Sequence, residues 1–146
     1  MANKRDLTEA DIRSKYITPA LTEAGWDLHK QIREETYFTD GRIRVRGSVA
    51  KRETGKKADY ILYYKRGIPL AVIEAKDNKH AVGAGLQQGL DYGEILDIPF
   101  VYSSNGDGFV EQDRTKKEGE IIREIGLNEF PSPQELWNRY AEAKGF

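Results

Sequence analysis

The 146-residue sequence has no cysteine, which removes a disulfide framework, a thiolate metal site and a cysteine nucleophile together. Histidine is nearly as scarce. His29 and His80 are the two it has, too few to build a histidine metal centre, so any metal must sit on carboxylates. Carboxylate oxygens favour magnesium, manganese or calcium over zinc. No apolar run approaches the length of a membrane span, and the opening "MANKRDLTEADIR" lacks the apolar region of a signal peptide. The expectation is a cytoplasmic protein that does not engage a membrane. What is present suits one domain with its own core: 38% hydrophobic and 32% charged residues over this length.

The net charge of −1 conceals an uneven distribution. Residues 42–57, "RIRVRGSVAKRETGKK", hold Arg42, Arg44, Arg46, Lys51, Arg52, Lys56 and Lys57 against the single acid Glu53, leaving −7 for the remainder of the chain. This basic run leads straight into Asp59. A basic segment feeding an acidic site suits a polyanionic substrate gripped beside a metal; a solvated loop or exposed edge strand has the same composition.

"LTEADIRSKYITPALTEAGW" reads as a helix, with Thr8 as cap, Asp11 at the third position after it, and Ile12, Tyr16, Ala20 and Leu21 at helical spacing. Pro19 should kink or divide it and Gly25 should end it. From 26 to 46 the pattern is patchy, with a turn at Thr39-Asp40-Gly41 and a strand in "RIRVRG". Two apolar strands follow in "KKADYILYYKRGIPLAVIEAKD". "NKHAVGAGLQQGLDYGEILD" reads as a second helix despite four glycines. "IPFVYSSNGDGFVEQD" reads as strand, turn and strand, and "FPSPQELWNRYAEAKGF" as a Pro-rich break and a short helix. The order predicts an α/β domain with a mixed sheet flanked by helices, not a doubly wound nucleotide fold. We expect the domain proper to cover 1–130, with 131–146 as a helix leading away from it.

The two apolar strands carry Asp59, Glu74 and Lys76. If they pair about a turn at Arg66-Gly67 with Lys65 facing Ile68, Asp59 faces Glu74, whether the loop has two residues or four. Directly opposed side chains have Cβ atoms roughly 4.5–5.5 Å apart, and Lys76 projects from the same face as Glu74. Opposed carboxylates repel unless a cation lies between them or one holds its proton. A divalent ion with oxygen ligands at about 2.1 Å fits such a pair, and a neighbouring lysine can orient water and offset charge on a phosphate. These are the parts of metal-assisted phosphodiester hydrolysis. A surface hairpin with a Glu/Lys pair on its wet face has the same pattern, but Tyr60, Leu62, Leu70, Ala71, Val72 and Ile73 leave both faces apolar, as in a central strand.

An acid opening one strand, Glu-x-Lys closing the next and a helix on either side resemble the PD-(D/E)xK nuclease superfamily. The resemblance implies that Asp59, Glu74 and Lys76 bind magnesium, with manganese as a substitute, and activate water, the backbone carbonyl of Ala75 being a further ligand. Ala58 stands where the namesake pattern has proline. "QGLDY" places Gln88 and Tyr92 four apart, similar to the Gln-x-x-x-Tyr motif of the RecB-like branch, on one helical face that can support the site or hold DNA. "TEADIRSKYITPALTEAGW", "ADYIL", "AVIEAKD", "QQGLDYGEILDIPFVYSSNGDGFVEQD" and "FPSPQELWNRY", in this order, resemble the N-terminal domain of type I restriction enzyme R (HsdR) subunits. In that family the nuclease domain precedes an ATP-driven DNA translocase, and methyltransferase and specificity subunits complete the enzyme. Glu9 matches an acid such nucleases direct toward the metal, although a helix's first turn favours an acid in any case. No Walker loop is present, since "ETGKKAD" lacks its flanking residues, so ATP belongs to motor domains outside this sequence.

The resemblance implies a metal-dependent endonuclease acting on double-stranded DNA without sequence preference of its own. A non-catalytic DNA-binding or assembly module, or a related repair or defence nuclease, remains as the alternative. "GAGLQQG" misses both phosphate-loop spacings and suits close helix packing. His29 and His80 suit local hydrogen bonds, Trp26 and Trp137 packing, Tyr60, Tyr63 and Tyr64 the sheet, and Asp107 a hairpin turn.

Overall fold

The computed structural model describes residues 3–39, 42–43, 56–119 and 121–146. Its framework is a mixed sheet of seven strands among the described residues: β1 (Ile32–Thr39), β2 (Arg42–Ile43), β3 (Lys56–Lys65), β4 (Ile68–Ala75), β5 (Phe100–Ser104), β6 (Gly108–Asp113) and β7 (Ile122–Gly126). Their spatial order is β2-β1-β3-β4-β5-β6-β7. Each neighbouring pair is antiparallel except β4 and β5, which run parallel. A parallel pair needs a crossover, and the helix α3 (Leu86–Leu96) supplies it.

The hairpin of β3 and β4 has the register expected from the sequence at both ends, with Lys65 opposite Ile68 and Tyr60 opposite Ile73. Between them Tyr63 lies opposite Pro69 in an irregular stretch. Proline has no N–H for a ladder, and here it sits before β4 begins to pair with β5 at Ala71. Two strands differ from the sequence reading. Residues 32–39 form β1, hidden because Glu35 adopts φ 49° and interrupts the alternation. Residues 122–126 form the edge strand β7, whose Ile122 is exposed. Of "RIRVRG", Arg42 and Ile43 form β2, while residues 44–47 lie outside the described residues, as do Asp40 and Gly41 of the expected turn.

The first helix is divided as Pro19 suggested, though the change of winding comes ahead of it. Helix α1 (Glu9–Ile12) opens with Thr8 Oγ1 accepting from the Asp11 N–H at 3.1 Å while Asp11 Oδ2 accepts from the Thr8 N–H at 3.3 Å. A π-helical segment (Arg13–Ile17) then widens the turn, so that the Thr18 N–H bonds to the Arg13 carbonyl. Helix α2 (Thr18–Glu23) follows, with Pro19 in its first turn, where a missing N–H costs nothing. Gly25, at φ 105°, ends it.

The second helix begins later than expected: residues 78–85 are turns and bends, and α3 starts at Leu86. Its glycines lie four apart against the sheet. A Cβ at Gly89 would lie 2.8 Å from Val101 Cγ1 and one at Gly93 2.7 Å from Val101 Cγ2, while one at Gly85 would lie 3.1 Å from Glu74 Cβ. The helix therefore rides closer to β4 and β5 than any side chain would allow.

Two apolar clusters fill the layers. One joins Ile12, Ile17, Leu21 and Trp26 to Tyr60, Leu62, Ile73, Tyr102, Phe109 and Leu136. The other joins Phe38, Ile61, Val72, Tyr92, Ile98 and Val101. Helix α4 (Pro133–Lys144) starts from Ser132, whose Oγ accepts from the Glu135 N–H at 3.1 Å. It packs back on the sheet through buried Leu136, a Trp137 ring stacked on Tyr64 at 4.8 Å, and Arg139. Arg139 bonds both oxygens of buried Glu111 at 3.1 Å and Asp113 at 2.9 Å. Trp26 donates from Nε1 to the Pro131 carbonyl at 2.9 Å, fastening the start of this segment to the core. No described helix is long and apolar enough to cross a membrane.

Candidate active site

Asp59 and Glu74 come together where the β3–β4 ladder gives out. Tyr60 and Ile73 are its last matched pair, and one step further the side chains replace the backbone as acceptors. The Asp59 N–H donates to Glu74 Oε2 at 3.0 Å, and the Ala75 N–H donates to Asp59 Oδ2 at 2.8 Å. Each carboxylate is thus fixed by a backbone amide of the opposite strand. Both are buried, at 9% and 3% exposure, a costly placement for two acids unless protonation or a cation compensates. Burial first, and then the neighbouring Asp59 charge, pushes the Glu74 carboxyl up to about 8. Burial likewise raises Asp59.

Lys76 follows directly, its N–H bonded to the Ser104 carbonyl at 2.9 Å, and its positive charge acts on Glu74 and on Glu9. Glu9 stands at the start of α1, its carboxyl raised by burial and then by the Asp59 charge. It does not complete a metal cage: among the described residues no three Asp, Glu or His side chains are grouped closely enough to hold an ion. Two carboxylates still fit magnesium, which binds through one or two and keeps its waters.

On α3, Gln88 Nε2 donates to the Tyr92 hydroxyl at 2.7 Å. Tyr92 packs edge-on against Phe38 at 4.9 Å, and burial and then the Glu74 charge raise its hydroxyl. The Gln-x-x-x-Tyr pair therefore stands beside the carboxylates, at the place where Gly85 and Gly89 bring α3 against Glu74. Ser103, opposite Glu74 on β5, accepts from the Gly85 N–H at 2.9 Å and donates to the Val82 carbonyl at 2.7 Å, pinning the turns that lead into α3.

Of the basic segment, Lys56 is exposed at the start of β3 and Lys57 pairs with Glu35 at 3.2 Å. Arg42 contributes its backbone to β2, and Arg44, Arg46, Lys51 and Arg52 lie outside the described residues. Sequence reasoning missed Arg13 and Glu35. Arg13 is one helical turn from Glu9, a spacing that could have flagged it. Glu35 is bracketed by the pairs Glu34–Tyr60 and Thr36–Ala58, which places it across from Asp59. The other expectations hold: His80 Nδ1 bonds Asp77 at 2.9 Å, Asp107 pairs with Lys4 at 2.9 Å, and Tyr60 is buried with its hydroxyl 2.7 Å from Thr18.

A mixed sheet flanked by helices, with this hairpin at its centre, is the restriction-endonuclease-like fold. The sequence matches the family described as "Type I restriction enzyme R protein N terminus (HSDR_N)" over residues 6–120. It is 54% identical over 145 residues to the type I restriction enzyme EcoAI endonuclease subunit of Escherichia coli, covering 99% of this chain and 18% of that protein. A solved fragment described as an HsdR subunit of a type I restriction enzyme from Vibrio vulnificus superposes with a TM-score of 0.80 at 42% identity, covering 96% of this chain and 26% of that one. The chain belongs to the family of N-terminal regions of type I restriction enzyme R subunits, and spans a minor part of the length of either relative.

Proposed function

We propose that the chain is the DNA-cleaving domain of a type I restriction enzyme R subunit, a divalent-metal-dependent endonuclease that hydrolyses phosphodiester bonds of double-stranded DNA. One observation carries this reading: Asp59 and Glu74, buried and tied to each other's strand, with Lys76 directly beyond. Magnesium, or manganese in its place, would be held by Asp59 and Glu74 with the Ala75 carbonyl and Glu9 as further oxygen donors, and supplies Lewis-acid polarisation of the phosphate.

The rest falls to the protein. Lys76 Nζ orients the attacking water and offsets charge growing on the phosphate oxygens. The water oxygen bonds to phosphorus as the bond to the departing sugar oxygen breaks; the water loses one proton and the departing oxygen gains one. Gln88 and Tyr92 hold the α3 side of the site, and the segment 42–57 with Lys56 and Lys57 grips backbone phosphates without reading bases. The domain comprises residues 1–130, with 131–146 leading on toward an ATP-driven motor while still docked on the sheet. In the whole cytoplasmic enzyme, methyltransferase and specificity subunits choose the target, so the domain alone cuts weakly.

Plasmid nicking with manganese tests this. Slow nicking by the wild type that disappears in Asp59→Asn and in Lys76→Ala is expected; nicking that survives both substitutions overturns the assignment.

A further inference from the structure

Arg13 is a buried cation with unspent hydrogen-bonding capacity. Its side chain is 14% exposed, and Nε and Nη1 are buried with no hydrogen-bond partner among the described residues. Its ion pair, Nη2 to Glu35 Oε1, is long at 3.6 Å, and the same Glu35 oxygen is claimed by Lys57 at 3.2 Å. A guanidinium left in this state costs free energy unless something else takes up its N–H groups.

Two backbone irregularities converge here. The π-helical segment begins at Arg13, and Glu35 holds φ 49° in the middle of a strand. Such features persist where the surroundings enforce them, and they gather at functional sites. Glu9, Glu35, Asp59 and Glu74 stand against Arg13, Lys57 and Lys76, one negative charge in excess. A divalent cation would turn that balance positive and suit it to an anion.

We propose that Arg13 binds nonbridging oxygens of the DNA phosphate at the Asp59–Glu74 site through its unpartnered N–H groups, with Glu35 as the positioning residue that aims it. The proposal rests on the nuclease reading above. A planar fork of donors suits a phosphate better than an ammonium does. Arg13 stands beside Glu9 and Asp59, which places that phosphate next to the carboxylates.

The test measures binding of a labelled duplex across a salt series, with magnesium and in a Lys76→Ala background that keeps the DNA intact, alongside manganese calorimetry on each variant. Arg13→Ala should weaken DNA binding by roughly tenfold to a hundredfold and reduce the slope of log affinity against log salt by about 0.9, with manganese still bound. Arg13→Lys should restore the slope but not the affinity, which a merely structural arginine would not do. It also serves if the alanine variant fails to fold. Glu35→Gln should lose part of the affinity with the slope unchanged. DNA affinity and slope that are the same with and without Arg13, in proteins that still bind manganese, overturn the proposal. Loss of manganese binding from the protein with Arg13 intact would instead overturn the nuclease reading beneath it.

Discussion

Replacing Glu74 with glutamine isolates the electrostatic tension of the site. Glutamine keeps the acceptor for the Asp59 N–H, at 3.0 Å in the wild type, but never ionises. Burial and the Asp59 charge lift Glu74 from 4.5 to about 8. Between those values the folded protein keeps a proton that the unfolded chain has released, so wild-type stability falls as pH rises from about 4.5 toward about 8. The full displacement corresponds to roughly 5 kcal/mol at 1.36 kcal/mol per pKa unit, and relaxation with water entry should leave about 2–3 kcal/mol. Asp59, also raised by burial, adds to the fall in the same direction. Glu74→Gln should therefore match the wild type near about pH 5 and exceed it near about pH 9, with a Tm higher by roughly 5–10 °C for a domain of this size. Thermal melts followed by circular dichroism in a chelator, across that range, read it directly. A wild type that gains stability between about pH 5 and about pH 8, or a variant whose pH profile parallels it, refutes the reasoning.

Three further outcomes follow from the packing and the site. Arg139→Ala strands Glu111, 1% exposed, without its bidentate partner, and should cost about 3–5 kcal/mol in urea unfolding; a cost below about 1 kcal/mol would show that the ion pairs to α4 contribute little. Gly89→Ala drives a Cβ to 2.8 Å from Val101 Cγ1 and should destabilise by about 1–3 kcal/mol, with much of that recovered when Val101→Ala is added. Additive losses in the double variant would contradict the close approach of α3. Manganese at about a hundred times its dissociation constant should stabilise the wild type by about 2.7 kcal/mol, and equal stabilisation of Asp59→Ala would place the ion elsewhere.

The hairpin was legible because two apolar runs meet at Arg66-Gly67 and burial on both faces permits one register. Asp59 and Glu74 therefore met as the pattern required, and the ladder closes at Tyr60 opposite Ile73. Strand β1 was not legible: Glu35 breaks its alternation at φ 49°, and Arg33, Glu34, Glu35 and Tyr37 are all exposed. Strand β7 hides for a related reason, an edge position that leaves Ile122 half exposed. Helix α3 was placed correctly but extended too far, because Val82 continues the apolar spacing although residues 78–85 spend their polar groups on turns around Ser103 and Asn105. Arg13 escaped notice since its importance comes from what surrounds it, and Glu35 and Asp59 arrive from distant parts of the sequence.

Calorimetric titration of manganese into the wild type, Asp59→Ala, Glu74→Ala and Lys76→Ala tests the central claim most directly. The two acids are placed as the metal's ligands and the lysine as the group acting on water and phosphate. Binding should therefore be lost in both acid variants and kept in the lysine variant. Binding that persists without either acid would contradict the account.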